Sequence, residues 1–281
     1  MNVLITGAGG QLGRELSRQL QQNHKVAALT KSDLDVANKE EVQKVIGQKK
    51  PEMIIHAAAF TDVDQCEANR RKAFEVNWRG TAAVARAAEA VQARLIYIST
   101  DYVFDGKKKA PYTEADTPFP LSVYGLSKLY GEKCVLDYKR GTVIRTSWLF
   151  GHEGKNFLKA ILRQINEGNI LRVVEDQIGS PTYVKDLAEI ILKLDKKTTG
   201  IYHVSNTGAC SRYEFAKAIV REARLNSGKV FPVSTDLYES IARRPAYSVM
   251  AHHALERAGV APPRPWQEAL KDFFIKENSD D

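Results

Sequence analysis

The first twenty residues constrain the fold more than any other stretch. Val3-Leu4-Ile5-Thr6 is a short apolar, β-prone run. It passes directly into Gly7-Ala8-Gly9-Gly10-Gln11-Leu12-Gly13, and a helical pattern follows over 12–20. A strand that turns through glycines straight into a helix reads as the opening of a crossover unit, in which the next strand lies parallel to the first. The rest of the first half repeats the alternation. Residues 25–29 read as a second strand, 42–46 as part of a short helix and 53–56 as a third strand. The alanine-rich stretch 74–91 reads as one long helix, with further strands at 95–99 and 143–145. The expectation is an α/β fold built on a doubly wound parallel sheet, with ligands at the carboxyl ends of its strands.

Beyond about residue 150 the pattern loosens. Helices are expected over 157–165, 184–194 and 213–223, with short strands near 171–174 and 201–204. Pro262-Pro263-Arg264-Pro265 breaks the chain before a last helix over 266–275. With no internal repeat and no long linker, the reading is a larger domain over 1–150 carrying a smaller lobe over 151–281, with the chain free to cross between them.

Composition narrows the function classes. In 281 residues, 43% are hydrophobic and 27% charged, the balance of an ordinary globular protein. The formal charge of +7 suits an anionic cofactor and a nucleotide-bearing substrate. Its basic residues are scattered apart from Lys107-Lys108-Lys109, a solvated loop, so no nucleic-acid partner is expected. No apolar run approaches the roughly 20 residues of a membrane span. Neither is there a basic segment followed by an apolar one at the N-terminus, so no signal peptide is expected. Cys66, Cys134 and Cys210 lie far apart without metal-ligand spacing, and reduced thiols point to the cytoplasm.

The glycine turn carries chemistry as well as topology. Glycine tolerates positive φ and lets the backbone approach a pyrophosphate, while the helix it opens offers free N–H groups to that anion. Gly7, Gly10, Gln11, Leu12 and Gly13 are therefore expected to seat a dinucleotide, although tight turns use glycine too. The spacing Gly7-x-x-Gly10-x-x-Gly13 differs from the GxGxxG of ordinary dinucleotide folds. Thr30 and Lys31 stand after the second strand, where an acidic residue would bind the ribose 2′-OH. Lys31, with Arg14 as a second candidate, can receive a 2′-phosphate, so NADPH is the expected cofactor and NADH an alternative. Asp35 and Val36 suit the adenine edge, and Ala58, Ala59 and Thr61 after the third strand complete the cofactor set.

Tyr124-Gly125-Leu126-Ser127-Lys128 is the second signal. Tyrosine and lysine four apart on a helix share one face. The ammonium is expected to lower the phenol's pKa and to hold the nicotinamide ribose. Many Tyr-x-x-x-Lys pairs are structural, but this chain also places Thr100 at the end of the fourth strand, within reach of a substrate carbonyl. Asn77 is expected to complete a proton path.

In order and type these residues resemble the short-chain dehydrogenase/reductase family in its extended form. Ser99-Thr100-Asp101-Tyr102-Val103-Phe104-Asp105-Gly106, Arg145-Thr146-Ser147-Trp148-Leu149-Phe150-Gly151 and Asp176-Gln177-Ile178-Gly179-Ser180-Pro181-Thr182 resemble, over nearly the whole chain, the dTDP-4-dehydrorhamnose reductases. The resemblance implies a Rossmann-like NAD(P)-binding domain and a substrate-binding lobe. It implies reduction of the 4-keto group of dTDP-4-dehydro-L-rhamnose, the final step to dTDP-L-rhamnose, a precursor of cell-wall polysaccharide. Tyr124 would be the proton donor, Thr100, Asp101 and Asn156 would meet the sugar, Trp148 would pack on it, and Arg244 would meet the pyrophosphate. Some family members dimerise around a magnesium ion held by glutamates. Glu15 matches the first of these and the others have no equivalent, so no metal is expected, and the chain is read as a monomer or homodimer.

Two other readings compete with this one. A nucleotide-sugar dehydratase or epimerase is the first, but dehydratases carry Thr-Asp-Glu where this chain has Thr100-Asp101-Tyr102, which removes the base for water elimination. The second is a non-catalytic NADP-binding regulatory subunit like that of methionine adenosyltransferase. Retention of Tyr124, Lys128 and Thr100 argues against it, and turnover discriminates.

Overall fold

The structure is a computed structural model that describes residues 1–194, 198–237 and 240–277; residues 278–281 of the expected small lobe lie outside the described residues. In chain order the first half comprises β1 (Asn2–Thr6), α1 (Gln11–Leu20), β2 (Lys25–Leu29), α2 (Lys39–Lys49), β3 (Met53–His56), α3 (Val63–Ala68), α4 (Arg70–Phe74), α5 (Thr81–Ala90), β4 (Arg94–Thr100), α6 (Val123–Leu136) and β5 (Gly141–Thr146). Then come β6 (Leu149–Phe150), α7 (Phe157–Asn166), β7 (Leu171–Val174), β8 (Ile178–Gly179), β9 (Thr182–Tyr183), α8 (Val184–Lys193), β10 (Gly200–His203), β11 (Cys210–Ser211), α9 (Arg212–Glu222), β12 (Val230–Val233), α10 (His253–Arg257) and α11 (Trp266–Glu277).

Six strands form one parallel sheet in the order β10-β5-β4-β3-β1-β2. Every residue of β3, β4 and β5 is buried, as strands covered by helices on both faces must be. On one face α1 packs its Leu12, Leu16 and Leu20 against Val3, Ile5 and Ile96. On the other, the alanines of α5 pack with Val42 and Ile46 of α2 over Leu4, Ile54 and Leu95. The chain leaves β1 for β2 on one side and returns to β3 on the other, so the switch point lies between the ends of β1 and β3. His56 fastens those ends. Its Nδ1 lies 2.7 Å from Thr6 Oγ1 and its Nε2 3.1 Å from Thr81 Oγ1, and burial holds it neutral, with its pKa lowered to about 3.

The second half does not stay in one lobe. Leu187, Ile190 and Ile191 of α8 join the core beside α1, β10 extends the main sheet, and Leu255 of α10 closes that flank. Without α8 the apolar face of α1 would lie open to water, so the crossing follows from burial. The small lobe has its own core of Phe150, Leu158, Ile161, Phe215, Ile219, Trp266 and Phe273.

The long helix expected over 74–91 is broken. Between α4 and α5 the backbone opens into a π-turn over Glu75–Gly80. A Cβ on Gly80 would stand 2.9 Å from the Val36 carbonyl, so this turn is pressed against the loop after β2. The wider turn carries Asn77 into the interior.

Candidate active site

The carboxyl ends of β1, β3, β4 and β5 open into one cleft of about 610 Å³. At its floor the glycine turn is held by close contact. Gly7 has φ +70°, and a Cβ there would lie 2.6 Å from Ala58 N; a Cβ on Gly13 would lie 2.3 Å from the Gly7 carbonyl oxygen. The N-cap of α1 is Gly10, which has no side chain to occupy the first-turn N–H groups. Gly7, Gly10, Gln11, Leu12 and Gly13 all line the cleft, and an anion fits there on the helix N-terminus. Lys31, Asp35, Val36, Ala58, Ala59 and Thr61 line it as well. Thr30 does not. Its N–H and hydroxyl donate to Asp33 Oδ2 at 2.9 and 2.6 Å, which turns the chain at the end of β2. This floor therefore fits a dinucleotide, by the room the glycines leave and by the donors they expose.

At the other end, Ser122 caps α6, and a Cβ on Gly125 would stand 2.1 Å from the Tyr102 carbonyl oxygen. That approach, available only to glycine, seats Tyr124 in the cleft lining with Thr100, whose hydroxyl donates to Asp101 Oδ1 at 3.1 Å. Desolvation, against the nearby Thr100 hydroxyl, pushes the phenol's pKa well up, so Tyr124 keeps its proton at neutral pH, as an acid must. Lys128 stands one turn further along α6 and also lines the cleft. Its Nζ donates to the Ile98 carbonyl at 2.7 Å and lies 4.0 Å from the Tyr97 ring centroid. Burial lowers its pKa to about 7, against the nearby charge of Glu132.

Glu132 was not read from the sequence. It lies one turn beyond Lys128 on α6, accepts from Ser99 Oγ at 2.5 Å and takes Arg145 through two bonds of 2.9 and 2.7 Å. Both members of this ion pair are 1% exposed. Its spacing from Lys128 was the only available signal. Asp101 is buried, with its pKa raised to about 6 by desolvation, against bonds from Ser248 and Thr100 and the charge of Arg212. Its Oδ2 and the Oγ1 of Thr146 have no partner among the described residues and are shut off from solvent, although both residues line the cleft.

The small lobe supplies the remaining wall. Asn156 caps α7 and donates to Gln11 Oε1 at 2.9 Å, which joins that lobe to the glycine turn. Trp148 lines the cleft with a left-handed backbone, φ +46°. Lys155, Phe157 and Arg212 also line it and were not foreseen.

Besides Thr30, two expected site residues stand outside the cleft lining. Asn77 is fully buried; it clasps Phe60 by two backbone bonds of 2.8 and 3.0 Å and donates to Ser127 Oγ at 3.0 Å. It positions the loop after β3 and does not reach the cleft. Arg244 is also outside the lining, with its guanidinium paired to Asp64 at 2.7 Å. Glu15 pairs with Arg18 and Gln19.

A dinucleotide floor and a half-buried tyrosine acid thus meet in one crevice of a parallel sheet, which makes this chain a short-chain dehydrogenase/reductase. The sequence match narrows the class: residues 1–279 match the family model described as RmlD substrate binding domain, and the chain belongs to that family. It is 47% identical over 279 residues to the spore coat polysaccharide biosynthesis protein SpsK of Bacillus subtilis (strain 168), covering 99% of this chain and 98% of that one. To a dTDP-4-dehydrorhamnose reductase of Aggregatibacter actinomycetemcomitans it is 42% identical over 286 residues, covering 96% and 97%. The crystal structure of dTDP-4-dehydrorhamnose reductase from Bacillus anthracis str. Ames in complex with NADP superposes with a TM-score of 0.94 at 44% identity, over 98% of this chain and 99% of that one.

Proposed function

We propose that the protein reduces the 4-keto group of dTDP-4-dehydro-L-rhamnose to give dTDP-L-rhamnose, with NADPH as the preferred cofactor and NADH as an alternative. The observation that carries this is that Tyr124, Lys128 and Thr100 line the same cleft as the glycine turn. The relatives named dTDP-4-dehydrorhamnose reductase and the NADP-bound neighbour support the substrate and the cofactor.

A bound nicotinamide supplies the hydride that reduces the carbonyl carbon. Thr100 and Tyr124 flank the position of the carbonyl oxygen, and Tyr124 gives its proton to that oxygen as charge develops there. The phenolate left behind is disfavoured by burial, and the Lys128 ammonium on the same helix face offsets that cost. Asp101 and Thr146 line the cleft on the side of this pair, where the sugar would lie. Tyr102 stands where a dehydratase would need its glutamate base, and its ring meets Tyr124 edge-on at 5.8 Å. Among the described residues no helix is long and apolar enough to cross a membrane, and we place the activity in the cytoplasm.

The test follows NADPH absorbance with the purified protein and dTDP-4-dehydrorhamnose made in situ, with and without EDTA. Sugar-dependent oxidation that survives EDTA is expected. Tyr124→Phe should lower turnover by about 10² to 10⁴ with NADPH binding retained. NADPH bound tightly but never oxidised would overturn the proposal in favour of a non-catalytic binding module, and near-normal turnover by Tyr124→Phe would remove the acid assignment.

A further inference from the structure

The wall of the cleft contributed by the small lobe carries a cation that the proposed mechanism does not use. Arg212 is the first residue of α9 and, among the described residues, the only arginine lining the cleft. Its guanidinium carbon lies 3.6 Å from the Trp148 ring centroid and 5.4 Å from that of Phe157. The other arginines nearby are committed: Arg145 to Glu132 and Arg244 to Asp64. No described carboxylate forms an ion pair with Arg212, although the buried Asp101 feels its charge.

The platform under Arg212 is held in place. Trp148 keeps its left-handed backbone while its carbonyl accepts from Thr182 N at 3.2 Å. Gly179 backs the indole so closely that a Cβ there would stand 2.6 Å from the ring. The indole is thus held by close contact with Gly179 along its Nε1 edge while Arg212 lies over the ring. A guanidinium lying flat on an aromatic ring keeps its N–H donors in its own plane, directed outward past the rim. That fork matches two phosphate oxygens.

We propose that Arg212 binds the diphosphate of the nucleotide-sugar substrate, with Trp148 as the platform that holds it ready. The inference rests on the nucleotide-sugar reading above. It moves the pyrophosphate contact expected at Arg244 to Arg212.

The test compares wild type with Arg212→Met, which keeps an apolar stem on the indole, and with Arg212→Lys, which keeps charge without the fork. NADPH-loaded protein is titrated calorimetrically with dTDP and with thymidine. Arg212→Met should weaken dTDP about 10- to 100-fold, with thymidine and NADPH affinities within about twofold and partial recovery in Arg212→Lys. For the keto sugar, KM should rise more than kcat falls. Equal dTDP affinity in wild type and Arg212→Met would overturn the proposal, as would an equal loss for thymidine, which would make Arg212 a support for Trp148 only. Wild-type turnover of the keto sugar reports separately on the proposed function. A wild type that turns the sugar over while Arg212→Met binds dTDP normally sinks Arg212 alone.

Discussion

Replacing Glu132 with Gln tests how the buried ion pair supports both stability and chemistry. Glu132 and Arg145 are each 1% exposed and share two charge-assisted bonds, with Ser99 donating a third to Glu132. Glu132→Gln keeps the shape but leaves the Arg145 guanidinium buried without its counter-charge; His203 at 3.4 Å can accept a bond but brings no negative charge. Breaking one side of such a pair costs about 3–5 kcal/mol, a large part of a typical total of about 5–15 kcal/mol. With a urea m-value of about 3 kcal/mol/M, the unfolding midpoint should fall by about 1 M or more. The double variant Glu132→Leu/Arg145→Met removes both charges and should recover most of the loss. A second readout separates structure from chemistry. The Glu132 charge raises the Lys128 pKa against burial, so its removal lowers that pKa further below about 7. The pH above which turnover declines should then move to more acid values in Glu132→Gln. A midpoint shift corresponding to less than about 1 kcal/mol, or a double variant no more stable than the single one, would refute the argument.

Asp101→Asn should flatten a pH dependence of stability. The folded-state pKa of Asp101, about 6, lies above its ordinary 3.8, so the folded state holds the proton more tightly and stability falls as pH rises from 4 to 6. Relative to wild type, the variant should gain about 2–3 kcal/mol more at pH 7.5 than at pH 4 in urea unfolding, and a constant difference would refute this. Lys31→Ala should weaken NADPH about 5- to 10-fold while sparing NADH, read by fluorescence titration, and equal losses would remove its 2′-phosphate role. Gly13→Ala would press a methyl group to 2.3 Å from the Gly7 carbonyl. It should cost about 1–3 kcal/mol in unfolding and weaken NADPH at least about tenfold, whereas wild-type affinity would show that the turn tolerates the methyl.

Features that depend on neighbouring residues were legible in the sequence. The glycine turn could be read because positive φ and close backbone approach are local demands, and Gly7 and Gly13 meet them. Tyr124 and Lys128 could be paired because helical spacing alone puts them on one face. The parallel sheet followed from alternating periodicities. The broken helix at 75–80 was not legible, because Gly80 there packs against Val36 of another loop, a contact that the local sequence does not carry. The lobes could be anticipated but not the path between them, since the apolar face of α8 has no address until α1 needs covering.

By itself, then, the sequence determined the turn, the helix face of the acid and its lysine, and the inventory of charges. Only the tertiary structure decided which charge meets which. Glu132 finds Ser99 and Arg145 on two separate strands, and Arg244 finds Asp64 at a separation of 180 residues. Asn77 stands outside the cleft and clasps a backbone, and Arg212 lies over an indole with no ion pair among the described residues. The physical reason is the short range of these interactions. A hydrogen bond or buried ion pair acts over about 3 Å, so its partner is set by how elements pack and not by their order along the chain.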